Sequence, residues 1–207
     1  MTATDHDAPA NGVPALTAGI AAWLTARTAW WPARPAADDA ALDAFETRHG
    51  LTLPADLRAW WRLDAVPANP WLPGGFAPVP LPAALETHAA WLLVAEQEGP
   101  PAEGEARFHP ALLPIADNGG GDGLVVDLRP GTGHGHVLLW DHETWRSDPP
   151  WWESVTAMLR DTARALESGT PALLGHAARG GPQRPCVAFV DADRQVGWEP
   201  DREPAAP

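Results

Sequence analysis

The stretch from Leu112 to Asp141 constrains the fold more than any other part of the chain. Three short apolar runs, Leu112–Ala116, Leu124–Leu128 and His136–Asp141, are separated by two glycine-dense turns. The turns are Asp117-Asn118-Gly119-Gly120-Gly121-Asp122-Gly123 and Arg129–Gly135. Runs this short with turns between them read as an antiparallel meander, since parallel neighbours need a long crossover. Gly119, Gly120 and Gly121 permit the positive φ of a hairpin connection, and Asp122 can accept backbone N–H bonds within it. A second reading makes the turn part of a binding surface, formed by its backbone N–H groups and Asp122.

Helical signals surround the meander. From Pro14, apolar residues fall at Leu16, Ile20, Trp23 and Leu24, one face of a helix that Pro32 and Pro35 end. Asp38 is a candidate N-cap for a second helix, with Leu42 and Phe45 on its buried face and Gly50 beyond its end. Pro54 opens a third, through Leu63, which buries Leu57 and one or both of Trp60 and Trp61. Asp64–Pro82 is dense in Pro and Gly and reads as a long loop or as a short edge strand around Phe76–Val79. Ala83–Glu98 reads as a helix with Leu85, Trp91 and Leu92 turned inward, followed by a breaker at Gly99–Gly104. Trp151–Glu167 is a further helix, with Trp152, Val155, Leu159 and Leu166 on one side and Gly169 as its stop. Cys186–Val190 and Val196–Trp198 form a terminal hairpin. The order of elements predicts an α+β fold, a largely antiparallel sheet packed with N-terminal helices and a closing C-terminal helix. One domain spans residues 14–199, with disordered tails at 1–13 and 200–207.

Composition narrows the function. The chain has 207 residues, enough for one full core, and a formal net charge of −13. That charge argues against nucleic acid, whose binders need a basic footprint, and suits a basic protein partner. Lysine and tyrosine are absent, which removes a Schiff-base Lys, a P-loop Lys and a Tyr general acid. The single Cys186 has no disulfide partner and fits a reducing compartment. Met1–Val13 lacks the pattern of a secretory signal, and no run reaches the ~18 apolar residues of a membrane span. A cytoplasmic location is expected, with no membrane contact.

Three features in order resemble the SUKH superfamily, which holds cell-wall-assembly regulators and bacterial toxin-immunity proteins. The first is a helix followed by Leu53-Pro54-Ala55-Asp56-Leu57 and an aromatic helix carrying Trp60 and Trp61. The second is the strand Leu113-Pro114-Ile115-Ala116, the turn with Gly119-Gly120-Gly121-Asp122, and a strand ending at Asp127-Leu128. The third is His136–Trp140, then Asp141-His142-Glu143 and a closing amphipathic helix. The resemblance covers roughly residues 38–168, and the Pro/Gly insert at 64–82 and the terminal hairpin depart from it. It implies a non-catalytic domain that binds a protein, as an immunity protein against a toxin domain or as a regulator. It marks Leu53, Pro54, Trp60, Gly120, Gly121, Asp127 and Trp140 as motif residues of mainly structural role.

Catalytic alternatives find little support in the residues. Counted from Asp117, the positions an EF-hand fills with oxygen ligands hold Gly119 and Gly121, and its final Glu position holds Leu128. Ser147, Ser154 and Ser168 sit in no Gly-x-Ser-x-Gly elbow, and Cys186 lies in an apolar run. Gly131-x-Gly133-x-Gly135 lies between strands and opens no helix, so it is no dinucleotide fingerprint. The alternative is a metal-dependent hydrolase using His134, His136, Asp141 and His142, with both early histidines on one face of a strand. We expect no metal and no cofactor. Twelve tryptophans are more than a core of this size easily satisfies. One member of each of the helical pairs among Trp30-Trp31, Trp60-Trp61 and Trp151-Trp152 should edge out of the core. Trp71, in the Pro/Gly loop, is the candidate for exposure and, with Asp122, for partner contact.

Overall fold

The computed structural model describes residues 12–29, 32–64, 66–100, 107–144, 146–147 and 149–201. Of the expected tails at 1–13 and 200–207, residues 1–11 and 202–207 lie outside the described residues, as does the Trp30-Trp31 pair. Val13 opens a helix and is buried, and Pro200 closes a strand, so these two residues belong to the fold.

Among the described residues, four helices precede most of the sheet. They are α1 (Val13–Arg27), α2 (Asp39–His49), α3 (Ala55–Trp61) and α4 (Leu81–Gln97). The Asp38 carboxylate accepts a hydrogen bond from the Ala41 N–H at 2.7 Å, and Gly50 ends α2 at φ 61°. Such a side-chain cap contributes about 1 kcal/mol. Pro54 stands one place before α3 rather than inside it, where its missing N–H is still no loss. Both Trp60 and Trp61 are fully buried, so of the one or both expected inside, neither edges out of the core. The short α3 is covered on both sides. The Arg34 guanidinium lies 5.1 Å from the Trp60 ring, and the Trp61 indole N–H donates to the Val79 carbonyl at 3.4 Å.

The central sheet is antiparallel with order β3-β4-β5-β6-β7. Its strands are β3 (Ala77–Pro78), β4 (Leu112–Asp117), β5 (Gly123–Asp127), β6 (Val137–Asp141) and β7 (Arg146–Ser147). Both faces are covered, so the strands read as continuous apolar runs instead of an alternation. Leu124, Val126 and Val137 point into the main core, which includes residues of α1, α3 and α5 (Val155–Ser168). Val125, Leu138 and Trp140 point the other way and, with Phe108, form a second core under α4.

The Pro/Gly insert is not a surface loop. A two-stranded ribbon pairs β1 (Ala33–Arg34) with β2 (Val66–Pro67), and a Leu72–Phe76 bridge closes over Gly74 and Gly75. This fold-back carries Trp71 inside at 0% exposure, its indole N–H donating to the Pro67 carbonyl at 2.8 Å. The expected exposure of Trp71 is therefore wrong: the turn residues pack their aromatic neighbours instead of releasing them.

Trp151 and Trp152 precede α5 and bridge to Val137, so Trp152 is buried by strand pairing and not by a helix face. Ser154 caps α5 by accepting from the Ala157 N–H at 3.1 Å, and Gly169 ends it at φ 69°. Asp161 on α5 accepts from the Trp152 indole at 3.0 Å and from the Leu173 N–H at 2.8 Å. A short α6 (Leu174–Ala178) leads to the terminal hairpin of β8 (Cys186–Val190) and β9 (Val196–Pro200). Arg194 at its tip donates to the carbonyls of Arg27 at 3.3 Å and Thr28 at 3.0 Å, satisfying the end of α1.

Candidate functional site

Pairing within the sheet brings two turns to one end. Asp117 pairs with Gly123, and Gly123 with Trp140, so turn 118–122 stands beside turn 142–144. Each is held by a short polar side chain bonding its own backbone. Asn118 accepts from the N–H groups of Gly120 at 2.8 Å and Asp122 at 3.2 Å. Asp141 accepts from Glu143 at 2.9 Å and Thr144 at 3.0 Å.

Asp122 ties the turns together. One of its carboxylate oxygens accepts from the His142 backbone N–H at 3.2 Å and from the ring Nδ1–H at 2.8 Å; the other accepts from Asn118 at 3.0 Å. Burial pushes the Asp122 carboxyl up, but the bonds from His142 and Asn118 outweigh it and hold the group below its usual range. The bond to Asp122, together with the charges of Asp122, Glu143 and Asp141, raises the His142 imidazole above its ordinary value. Donor atoms of Asp122, Asp141 and His142 lie within 4.8 Å of one another.

Helix α4 completes this end with apolar surface. Trp91, Val94, Gly121, Trp140 and His142 line an open cleft. Trp91 packs edge-on to Phe108 at 5.1 Å and lies 6.3 Å from Trp140. Leu93 and Val94 project from the helix, 53% and 42% exposed, among the few large apolar side chains left to solvent. Glycine is needed at two places. Gly121 has φ 107°, and a Cβ there would stand 2.9 Å from the His142 ring; a Cβ on Gly123 would stand 2.6 Å from Trp91.

Among the described side chains, few cations offset the carboxylates at this end. Among the described residues His142 is the only ion-pair partner of Asp122, and no ion pair reaches Asp141. Glu96 and Glu98 are exposed at the negative end of α4, whose last turn has no basic residue; Arg107 reaches the Gly99 carbonyl at 3.3 Å.

The residues singled out in the sequence divide between this end and elsewhere. Gly120, Gly121, Asp122 and Trp140 gather here, Trp140 as the cleft's buried wall. Leu53 and Trp60 are buried in the main core, and Pro54 stacks under Gly135 in the turn at the opposite end of the sheet. Asp127 is at that opposite end, 6% exposed, paired with Arg129 at 2.6 Å. Burial raises its carboxyl, and the hydrogen bonds and charge of Arg129 bring it below the usual range.

The hydrolase grouping is not assembled. His134 and His136 lie in the turn before β6, and the His134 Nε2–H donates to the Thr52 carbonyl at 2.9 Å. Asp141 and His142 lie at the other end of β6, a strand's length away at about 3.3 Å per residue. The histidines also sit in a turn, not on one strand face. The contribution of α4 was missed in the sequence. Its signal was Trp91-Leu92-Leu93-Val94, four consecutive apolar residues that no single helix face can bury.

No helix of the described residues is long and apolar enough to cross a membrane. No curated protein matches the chain. The profile of the SMI1 / KNR4 family (SUKH-1) does match, over residues 36–161, from just before α2 into α5 and so over more than half of the molecule, and the chain belongs to that family.

Proposed function

We propose that the chain is a cytoplasmic, non-catalytic protein-binding domain, an immunity or regulatory protein, whose two-turn end of the sheet meets a basic partner protein. Membership in the family supports a non-catalytic regulatory or immunity-type role in general. The observation that carries the finer reading is the open apolar cleft beside carboxylates whose only cationic partner among the described side chains is an imidazole. An apolar centre with a polar rim is the anatomy of a protein interface. The overall charge of −13 would steer a cationic protein toward it and repel nucleic acid. Leu93 and Val94 take the anchoring place that Trp71, being buried, cannot fill.

The test uses a basic protein encoded beside this chain, a toxin domain first, and measures association and dissociation separately. Association should slow with salt as the Debye length falls from ~10 Å at 0.1 M to ~3 Å at 1 M. Leu93→Ser should mainly speed release, because interface substitutions act chiefly on dissociation. An acidic partner with salt-independent association, released no faster from Leu93→Ser, overturns the reading.

A further inference from the structure

We infer that the cleft between α4 and the two turns is a socket for a single arginine side chain of the partner. This rests on the reading of the chain as a binding domain for a basic protein, and it names the group recognised.

The site is first an apolar cleft, and the charges around it choose its occupant. Trp91 and Val94 form one wall, Trp140 another, and His142 stands at the mouth with Gly121 leaving the opening unfilled. An acidic side chain would meet Asp122, Asp141 and Glu143. An aliphatic side chain would satisfy the indoles and make no use of Asp122 and Asp141, whose carboxylate oxygens lie within 4.8 Å of each other and of the His142 ring. A lysine ammonium is compact and strongly hydrated, and sheds its water reluctantly against an apolar wall. A guanidinium suits both halves of the cleft. It is planar and weakly hydrated, lies against an indole face, and presents N–H groups at its edge that can serve two carboxylates.

His142 is the internal stand-in for that arginine. Among the described side chains, the charged groups facing it are Asp122 from the first turn and Asp141 and Glu143 from its own, and α4 contributes the apolar Trp91 and Val94. A protonated ring paired with Asp122 competes with an incoming guanidinium. A neutral ring competes less, so binding tightens as pH rises through the His142 titration.

The experiment titrates the full chain with an acetylated, amidated Gly-Arg repeat octapeptide and with its lysine and citrulline counterparts, read by heteronuclear NMR. The arginine peptide should shift the amides of Gly119–Gly123 and His142 and the indole signals of Trp91 and Trp140. The lysine peptide should bind about threefold more weakly, and the citrulline peptide about tenfold more weakly. Val94→Arg, at an exposed position that leaves the core untouched, should fill the socket and weaken binding about tenfold. Binding should tighten about threefold between roughly pH 5.5 and pH 8, and His142→Gln should flatten that profile. Equal binding of citrulline, shifts confined to other surfaces, or indifference to Val94→Arg overturns the inference. So does stoichiometric capture of calcium or zinc by Asp122, Asp141 and His142 that excludes the peptide. A basic partner protein that Val94→Arg still releases, while the arginine peptide binds nowhere near the cleft, refutes the arginine socket and leaves the binding-domain reading standing.

Discussion

Alanine at position 123 isolates the close approach of α4 to the sheet. The φ of Gly123 lies outside the left-handed region, so its backbone would accept any residue. The obstacle is space. A Cβ would stand 2.6 Å from the Trp91 ring and 3.1 Å from the carbonyl oxygen of Ala116. The carbonyl belongs to β4 and is held by the sheet, so Trp91 must yield. Swinging away forfeits its contacts with Phe108 at 5.1 Å and Trp140 at 6.3 Å. Aromatic pairs contribute about 0.5–1.5 kcal/mol each beyond area burial, so Gly123→Ala should destabilise the fold by about 1–3 kcal/mol. Urea denaturation of four proteins measures it: the parent, Gly123→Ala, Trp91→Leu and the double variant. In the Trp91→Leu background the alanine should cost at least about 1 kcal/mol less, because the colliding ring is gone. An undiminished cost there refutes the steric account and places the strain in the sheet.

Gly121→Val should destabilise by about 1–3 kcal/mol, because a β-branched residue resists φ 107° and displaces the His142 ring; an unchanged urea midpoint would contradict this. The His142 imidazole should titrate above about pH 6.5 by NMR and return toward that value in Asp122→Asn. Because the folded-state value is raised, the stabilisation from His142 is present below the unfolded value and is lost as pH rises through the folded one. The lowered Asp122 carboxyl works in the opposite sense, its contribution present above the unfolded value and lost as pH falls through the folded one. Ser154→Ala removes the α5 cap and should lower stability by about 1 kcal/mol in the same denaturation assay. Burial pushes the Cys186 thiol up to about 11, so it should stay unreactive toward a thiol reagent until the chain unfolds.

Elements long enough to show a period were legible in the sequence. The meander at 112–141, the Asp38 and Gly50 boundaries of α2, and the Gly169 stop of α5 all follow from local chemistry. The β1–β2 ribbon and α6 were not, because two-residue strands and a five-residue helix are too short to carry one. Trp71 was misplaced because proline and glycine mark where a chain turns, not whether its neighbours are exposed. The site was half legible. Gly121 and Asp122 stood out in the turn, but its apolar wall comes from α4, distant in sequence and joined only through the sheet. Charge and residue type grouped four polar residues that the length of β6 keeps apart.

The placement of α1 has a consequence for how the chain is made. Its packing partners include α5, near the far end of the sequence, and its last carbonyls are satisfied by Arg194 at the tip of the final hairpin. A ribosome adds about 5–20 residues per second, so Ile20 and Leu24 emerge several seconds before the surface that will cover them. The earliest helix of the described residues is thus among the last to be fully enclosed. Until α5 is made, the apolar stripe of α1 has chiefly α3 and β2 to pack against.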